Sequence, residues 1–162
     1  MGETVDIRFR QAKPADAEAI LSLKQAAIES TAETYSDEQV SAWRPTEEAL
    51  PVFQQAMESD QFVVLLAEEH EDVAGYGVLN IQEARIDAVF VHPERAGRGL
   101  GTSLVRQLET RAAMYGLTEL DVVSSINAQP FYEALGYEPV ESRTRTIDGV
   151  DLSFVAVHKT LD

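Results

Sequence analysis

Glycine stands at positions 97, 99 and 101, between a β-rich run ending at Val91 and an amphipathic pattern carrying Leu104, Val105, Leu108 and Ala112 on one face. The arrangement is that of a strand, a turn and a helix N-terminus. There, unsatisfied N–H groups and the positive end of the helix dipole converge, and glycine lets a ligand come close to the backbone. The chemistry implied is the binding of phosphate. Arginine supports this. From Arg95 to Arg111 there are four arginines (Arg95, Arg98, Arg106, Arg111) and a single acid, Glu109, in a chain whose formal net charge is −15. The planar guanidinium fork suits phosphate oxygens.

What the loop lacks narrows the ligand. A nucleotide P-loop ends in Gly-Lys-Ser/Thr, and Leu100-Gly101-Thr102 supplies no lysine. A dinucleotide fingerprint Gly-x-Gly-x-x-Gly fails from Gly97, where the last position is Thr102, and from Gly99, where it is Leu104. The segment instead resembles the acetyl-CoA pyrophosphate loop of the GNAT acetyltransferase superfamily, usually Val-x-Pro-x-x-Arg/Gln-Gly-x-Gly-Ile/Leu-Gly. Val91, Pro93, Gly97, Gly99, Leu100 and Gly101 match, and Ala96 departs from the usual Arg or Gln.

A second stretch, Asn127 to Tyr137, is similar to the family's Asn-x-x-Ala-x-x-Phe-Tyr-Glu-x-x-Gly-Phe/Tyr. Ala128, Phe131, Tyr132, Glu133, Gly136 and Tyr137 align, while the customary asparagine falls on Ser125. The segment from Tyr35 to Trp43 looks like one seen in some small GNAT proteins. The resemblance implies that Gly97, Arg98, Gly99, Leu100, Gly101 and Thr102 hold the CoA pyrophosphate. It implies equally that Val89, Phe90 and Val91 run beside the pantetheine arm, with Asn127 and Tyr132 near the thioester.

Acetyl transfer to an amine needs a neutral nucleophile, a stabilised carbonyl oxygen and a proton for the departing thiolate. Backbone N–H groups of the 89–91 stretch serve the oxygen, as the resemblance implies. A phenol of ordinary pKa about 10 is a feasible donor to a thiolate, so Tyr132 is the candidate acid. Asp87 and Glu83 flank the same strand and are the candidate bases through water. Tyr35 and Tyr76 are candidates to line the acceptor pocket. No cysteine exists to form a covalent thioester, so direct attack in a ternary complex is expected. The three histidines have no ligand-spaced partners, and no metal is expected. A CoA-binding regulatory or interaction module without efficient transfer is the alternative.

With 162 residues the expectation is one domain, 1–162, able to bury a sizeable core. Against 28 acidic residues stand 13 basic ones, only three of them lysine: Lys13, Lys24 and Lys159. Such a surface repels nucleic acid. No apolar run approaches eighteen residues and no leader pattern is seen, so a membrane is not expected and the cytoplasm is. The excess acid has two readings, a cationic amine substrate or a solvated surface adapted to a high-salt cytoplasm. Carboxylates scattered along the whole chain favour the halophilic one. The partner expected is a small-molecule or peptide amine, with the chain a monomer or homodimer.

The elements that must position these residues read clearly. Val5 to Arg10 alternates as a strand, Pro14-Ala15-Asp16 opens a helix with Ile20, Leu21, Leu23, Ala27 and Ile28 as its stripe, and Ser36 to Gln39 has capping-box spacing. A helix from Thr46 to Met57 is expected to be interrupted early by Pro51. Strands follow at 62–67, 73–81 and 86–91, then the glycine loop and a helix stopped by Gly116. A strand at 120–123, a helix at 128–135 and two strands meeting at Asp148-Gly149 complete the chain. This order matches the GNAT topology and predicts an α/β fold, a mixed central sheet of about seven strands flanked by four or five helices.

Overall fold

The computed structural model describes residues 7–161, so the Val5 and Asp6 part of the expected first strand lies outside the described residues. Seven strands form one sheet in the order β1-β2-β3-β4-β5-β7-β6. In chain order the elements are β1 (Ile7–Gln11), α1 (Ala17–Glu29), α2 (Asp37–Trp43), α3 (Leu50–Glu58), β2 (Phe62–Glu69), β3 (Asp72–Asn80) and β4 (Arg85–Val91). After these come α4 (Leu100–Met114), β5 (Glu119–Ser125), α5 (Gln129–Ala134), β6 (Glu138–Ile147) and β7 (Val150–Thr160). All neighbours are antiparallel except β4 and β5, which α4 joins in parallel.

Helices cover both faces, which is why β2 reads as a continuous apolar run rather than an alternating one. Val63 and Leu65 pack with Val105 and Leu108 of α4 on one side. Val64 and Leu66 pack with Ile20 and Leu23 of α1 on the other. The α4 helix lies close because β3 presents glycine to it: a Cβ on Gly77 would stand 2.8 Å from the Leu108 side chain.

The local signals hold with one change of detail. Ser36 Oγ accepts from the Gln39 N–H at 3.1 Å and Gln39 Oε1 accepts from the Ser36 N–H at 2.9 Å, the reciprocal pair of a capping box. Asp148 and Gly149 both take left-handed φ, 50° and 78°, and close the β6–β7 hairpin. Pro51 does not interrupt a helix. A single 3-10 turn at Glu47–Ala49 leads into α3, and Pro51 sits in the first turn of α3, where its missing N–H would be unsatisfied anyway.

Candidate active site

The central feature of the site is a divergence between two strands. β4 pairs with β5 only at Arg85 with Asp121 and Ile86 with Val122. The cause lies on the other edge of β4. There the register against β3 shifts between Val78 and Leu79, whose partners are Ala88 and Ile86, so Asp87 is an extra, bulged residue. A bulge bends its strand and increases the local twist. Beyond it β4 and β5 splay, and among the described residues the backbone edge of residues 87–91 facing β5 has no strand partner.

The opening between the strands is a cleft of about 80 Å³, walled by residues 87–90 of β4 and 122–125 of β5. Tyr132 closes one side. Its ring packs edge-on against Phe131 and Tyr137, with centroids 5.0 and 5.7 Å away. Among the described residues the chain offers its hydroxyl no hydrogen-bond partner, although the residue is 5% exposed. Burial pushes the phenol well above its ordinary range, so it stays protonated at working pH. On the opposite side stand Trp43, Phe154, Lys24 and Arg145.

The glycine loop continues directly from β4 through a 3-10 turn at Pro93–Arg95. Gly97 and Gly99 have φ of 80° and 81°, and a Cβ on either would project into open space. Gly99 is the N-cap of α4 and supplies no capping side chain. Among the described residues no acceptor serves the N–H groups from Gly97 to Thr102. Gly101 also acts through packing: its Cβ would stand 3.2 Å from the Phe131 ring, so the residue lets α4 and α5 meet. An unpaired strand edge followed by unpaired N–H groups at a helix start fits an extended amide-bearing arm that ends in pyrophosphate, the chemistry of CoA.

The arginines of the loop are engaged elsewhere. Glu69, at the end of β2, accepts from Arg95 at 2.6 Å and from Arg98 at 2.7 Å. The bond from Arg98, with the nearby charges, holds its carboxyl below the usual range. These two side chains therefore clamp the loop to the sheet, and the unengaged donors of the loop are its backbone N–H groups.

Of the residues singled out from sequence, the structure brings Asp87, Val89, Phe90 and Tyr132 together in the cleft. Asp87 is ion-paired with Arg85 and receives a 3.4 Å hydrogen bond from Asn80. Glu83 stands exposed in the β3–β4 turn and lines no part of the cleft. Asn127 is exposed outside it, while Ser125, at the position of the family asparagine, lines it.

Neither tyrosine expected to meet the acceptor lines the cleft. Tyr35 is buried behind Trp43 and Phe154 as a structural bridge. Tyr76 lies in the core beneath α1 and α3, stacked on Phe90 at 5.7 Å, and among the described residues its hydroxyl has no partner. Sequence reasoning missed Lys24, Arg145, Trp43 and Phe154. One signal was available: Lys24 is one of three lysines, and it directly follows Leu23 of the apolar stripe of α1.

Comparison with known proteins agrees with this geometry. The acetyltransferase (GNAT) domain family matches residues 31–156. A structure described as a GCN5-related N-acetyltransferase from Rhodopseudomonas palustris is 30% identical, covers 99% of this chain and 100% of that one, and superposes with a TM-score of 0.87. The PaiA N-acetyltransferase of Thermoplasma acidophilum, solved with coenzyme A, shares the fold at 18% identity and a TM-score of 0.77, covering 96% and 99% of the two chains. The uncharacterized N-acetyltransferase YafP of Escherichia coli is 28% identical over 139 residues, 85% of each chain.

Proposed function

Since the chain belongs to the GNAT acetyltransferase family and is an acetyl-CoA-dependent acyltransferase, we propose that it moves acetyl to a primary amine by direct attack in a ternary complex. The observation that carries the reading is the splayed β4–β5 edge, with Tyr132 facing the gap and the left-handed glycine loop at its end. In this reading N–H groups from Gly97 to Thr102 cradle the pyrophosphate, and the unpaired edge of Val89 to Val91 pairs with the pantetheine amides. N–H groups on the same edge stabilise the carbonyl oxygen as negative charge develops.

The balance of the step is simple. The amine nitrogen forms the new C–N bond, the C–S bond breaks, and the nitrogen loses a proton while the thiolate gains one. Tyr132 is the donor to sulfur. Burial keeps the proton on the phenol before attack, and the same burial raises the proton affinity of the thiolate formed beside it, which keeps the two groups matched. Asp87 takes the ammonium proton through water. It is the one carboxylate among residues 87–90 and 122–125, whereas Glu83 is exposed in a turn outside the cleft.

Free thiol release from acetyl-CoA, followed across an amine panel at low and molar salt, tests the proposal. Release that depends on the amine, with one acetyl transferred per thiol, is the expected result. CoA binding without release from any amine would instead identify a CoA-binding regulatory module.

A further inference from the structure

Beside the cleft opens a groove of about 610 Å³ that shares Lys24, Asp87, Val123 and Arg145 with it. Its lining inverts the charge of the protein. Lys24, Arg85, Arg143 and Arg145 face it, and Asp87 is the one acid, in a chain of formal net charge −15. Two of these cations are neutralised by neighbours, Arg85 by Asp87 and Arg143 by Glu141. Lys24 and Arg145 are not: among the described residues no carboxylate oxygen lies within ion-pairing distance of either.

Both cations are held by aromatic faces instead. The Lys24 ammonium stands 5.8 Å from the Phe53 ring and 5.5 Å from the Phe90 ring, and the Arg145 guanidinium 5.5 Å from the Phe154 ring. Burial and the charge of Arg145 push the lysine below its usual range, as expected for a cation with no counter-ion. Two unpaired positive charges sharing one concavity favour an anion.

That anion is not a phosphate of CoA. The glycine loop, whose N–H groups hold the pyrophosphate in the reading above, leaves the C-terminal end of β4 and contributes nothing to the lining of the groove, which runs from the cleft toward Arg85 at the other end of the strand. The groove opens into the cleft through Lys24, Asp87, Val123 and Arg145, so an anion held there lies beside whatever occupies the cleft.

Taking acetyl transfer in the cleft as given, we propose that Lys24 and Arg145 dock a carboxylate of the acceptor, so that the substrate class is amines carrying a carboxylate, as in amino acids. The carboxylate pairs with the arginine fork and the ammonium, and the rings of Trp43, Phe90 and Phe154 cover the apolar part. The same positive field favours the neutral form of the nearby amine, the form that attacks the thioester. A polyamine brings only further positive charge and is repelled.

The test compares α-amino acids with their own carboxamides, and both with spermidine, on two readouts. Thiol release at saturating acetyl-CoA reports transfer. Quenching of Trp43, the one tryptophan of the chain and a wall of the cleft, reports binding whether or not transfer occurs. For the favoured amino acid the expected kcat/KM is at least tenfold above that of its amide. Lys24→Met and Arg145→Gln should each erase most of that preference through the acceptor KM, with the acetyl-CoA KM within about twofold. Circular dichroism checks the fold of Lys24→Met, and Arg145 is exposed on edge strand β6, so its variant tests the site even if the lysine variant unfolds.

Thiol release that is equal for acid and amide, or fastest for spermidine, overturns the carboxylate site and leaves acetyl transfer standing. Selective quenching by amino acids, lost in both variants but without thiol release, supports the site and removes the transfer reading. No quenching preference and no rate preference overturns the site.

Discussion

The Tyr35 hydroxyl donates to the carbonyl oxygen of Ser153, 118 positions away in sequence, at 2.6 Å, and accepts the backbone N–H of Ile126 at 3.0 Å. One bond reaches β7 beside Phe154 and the other reaches the turn after Ser125, so a single side chain sets two walls of the cleft. The ring completes the arrangement edge-on against Trp43, with centroids 5.5 Å apart.

Tyr35→Phe keeps that packing and removes both bonds. Two backbone groups in a half-buried place lose their partner, at a cost of about 1 kcal/mol. For a chain of this length that lowers Tm by about 2–4 °C per kcal/mol. Thermal melts at neutral pH measure the loss. A variant that melts with the native protein would show that the bridge contributes nothing.

Local devices were legible in the sequence, and residues joined through the sheet were not. The glycine loop, the Ser36–Gln39 capping box and the Asp148-Gly149 turn are set by conformations within a few residues, so residue type reports them. The bulge at Asp87 left no such mark, because residues 85–91 read as an ordinary strand and the extra residue exists only relative to β3. Lys24 and Arg145 come from α1 and β6 and meet only once β7 lies beside β5. Tyr76 was decidable: Gly75 and Gly77 on either side of it present the close-packed face to α4, and a period of two then puts Tyr76 on the face beneath α1.

Glu69 makes the loop clamp sensitive to acid. Its carboxyl is held below the usual range by Arg98, so the unfolded chain takes up the proton first as pH falls. The stabilisation is complete above the unfolded value of about 4.3 and is lost as pH drops from there through the lower folded value. Glu69→Gln should therefore lower Tm at pH 7 and flatten the decline between about pH 5 and 3. Melting curves over that range decide it; a decline as steep as that of the native protein would refute the clamp.

Gly99 tests the CoA cradle. Its φ of 81° lies in the left-handed region, where a β-branched residue is strained by about 1–3 kcal/mol, and its Cβ position is open. Gly99→Val should fill the space a pyrophosphate needs and lower CoA affinity by at least tenfold in calorimetry. Gly99→Asn tolerates the same φ and should keep more of the native stability. Native affinity in the valine variant would remove the loop from the binding site.

A net charge of −15 with three lysines leaves most carboxylates without a cation. Screening of their repulsion should raise Tm steadily into molar potassium chloride, beyond the small early gain of an ordinary acidic protein. A flat midpoint across the salt series would rule out the high-salt explanation. The charge would not then pass to a cationic acceptor, because the groove beside the cleft is positive.

Tyr132 is the sharpest test of mechanism. A donor to the leaving thiolate acts in the transition state, so Tyr132→Phe should lower kcat and leave acetyl-CoA affinity nearly unchanged. General acid catalysis contributes typically about 10²–10⁴ in rate, and water entering an open cleft moves the expected loss toward the lower figure. The phenyl ring retains its edge-on contacts with Phe131 and Tyr137, so thermal stability should hold while turnover falls. A hydroxyl that merely positions sulfur gives the opposite split: KM for acetyl-CoA rises and kcat stays within about threefold, a difference under roughly 1 kcal/mol. Steady-state kinetics with the best acceptor, at pH 7 and 9, separates the two, because raising the pH lowers the thiolate's demand for a proton and should narrow the gap between phenylalanine variant and native enzyme only if Tyr132 is the acid.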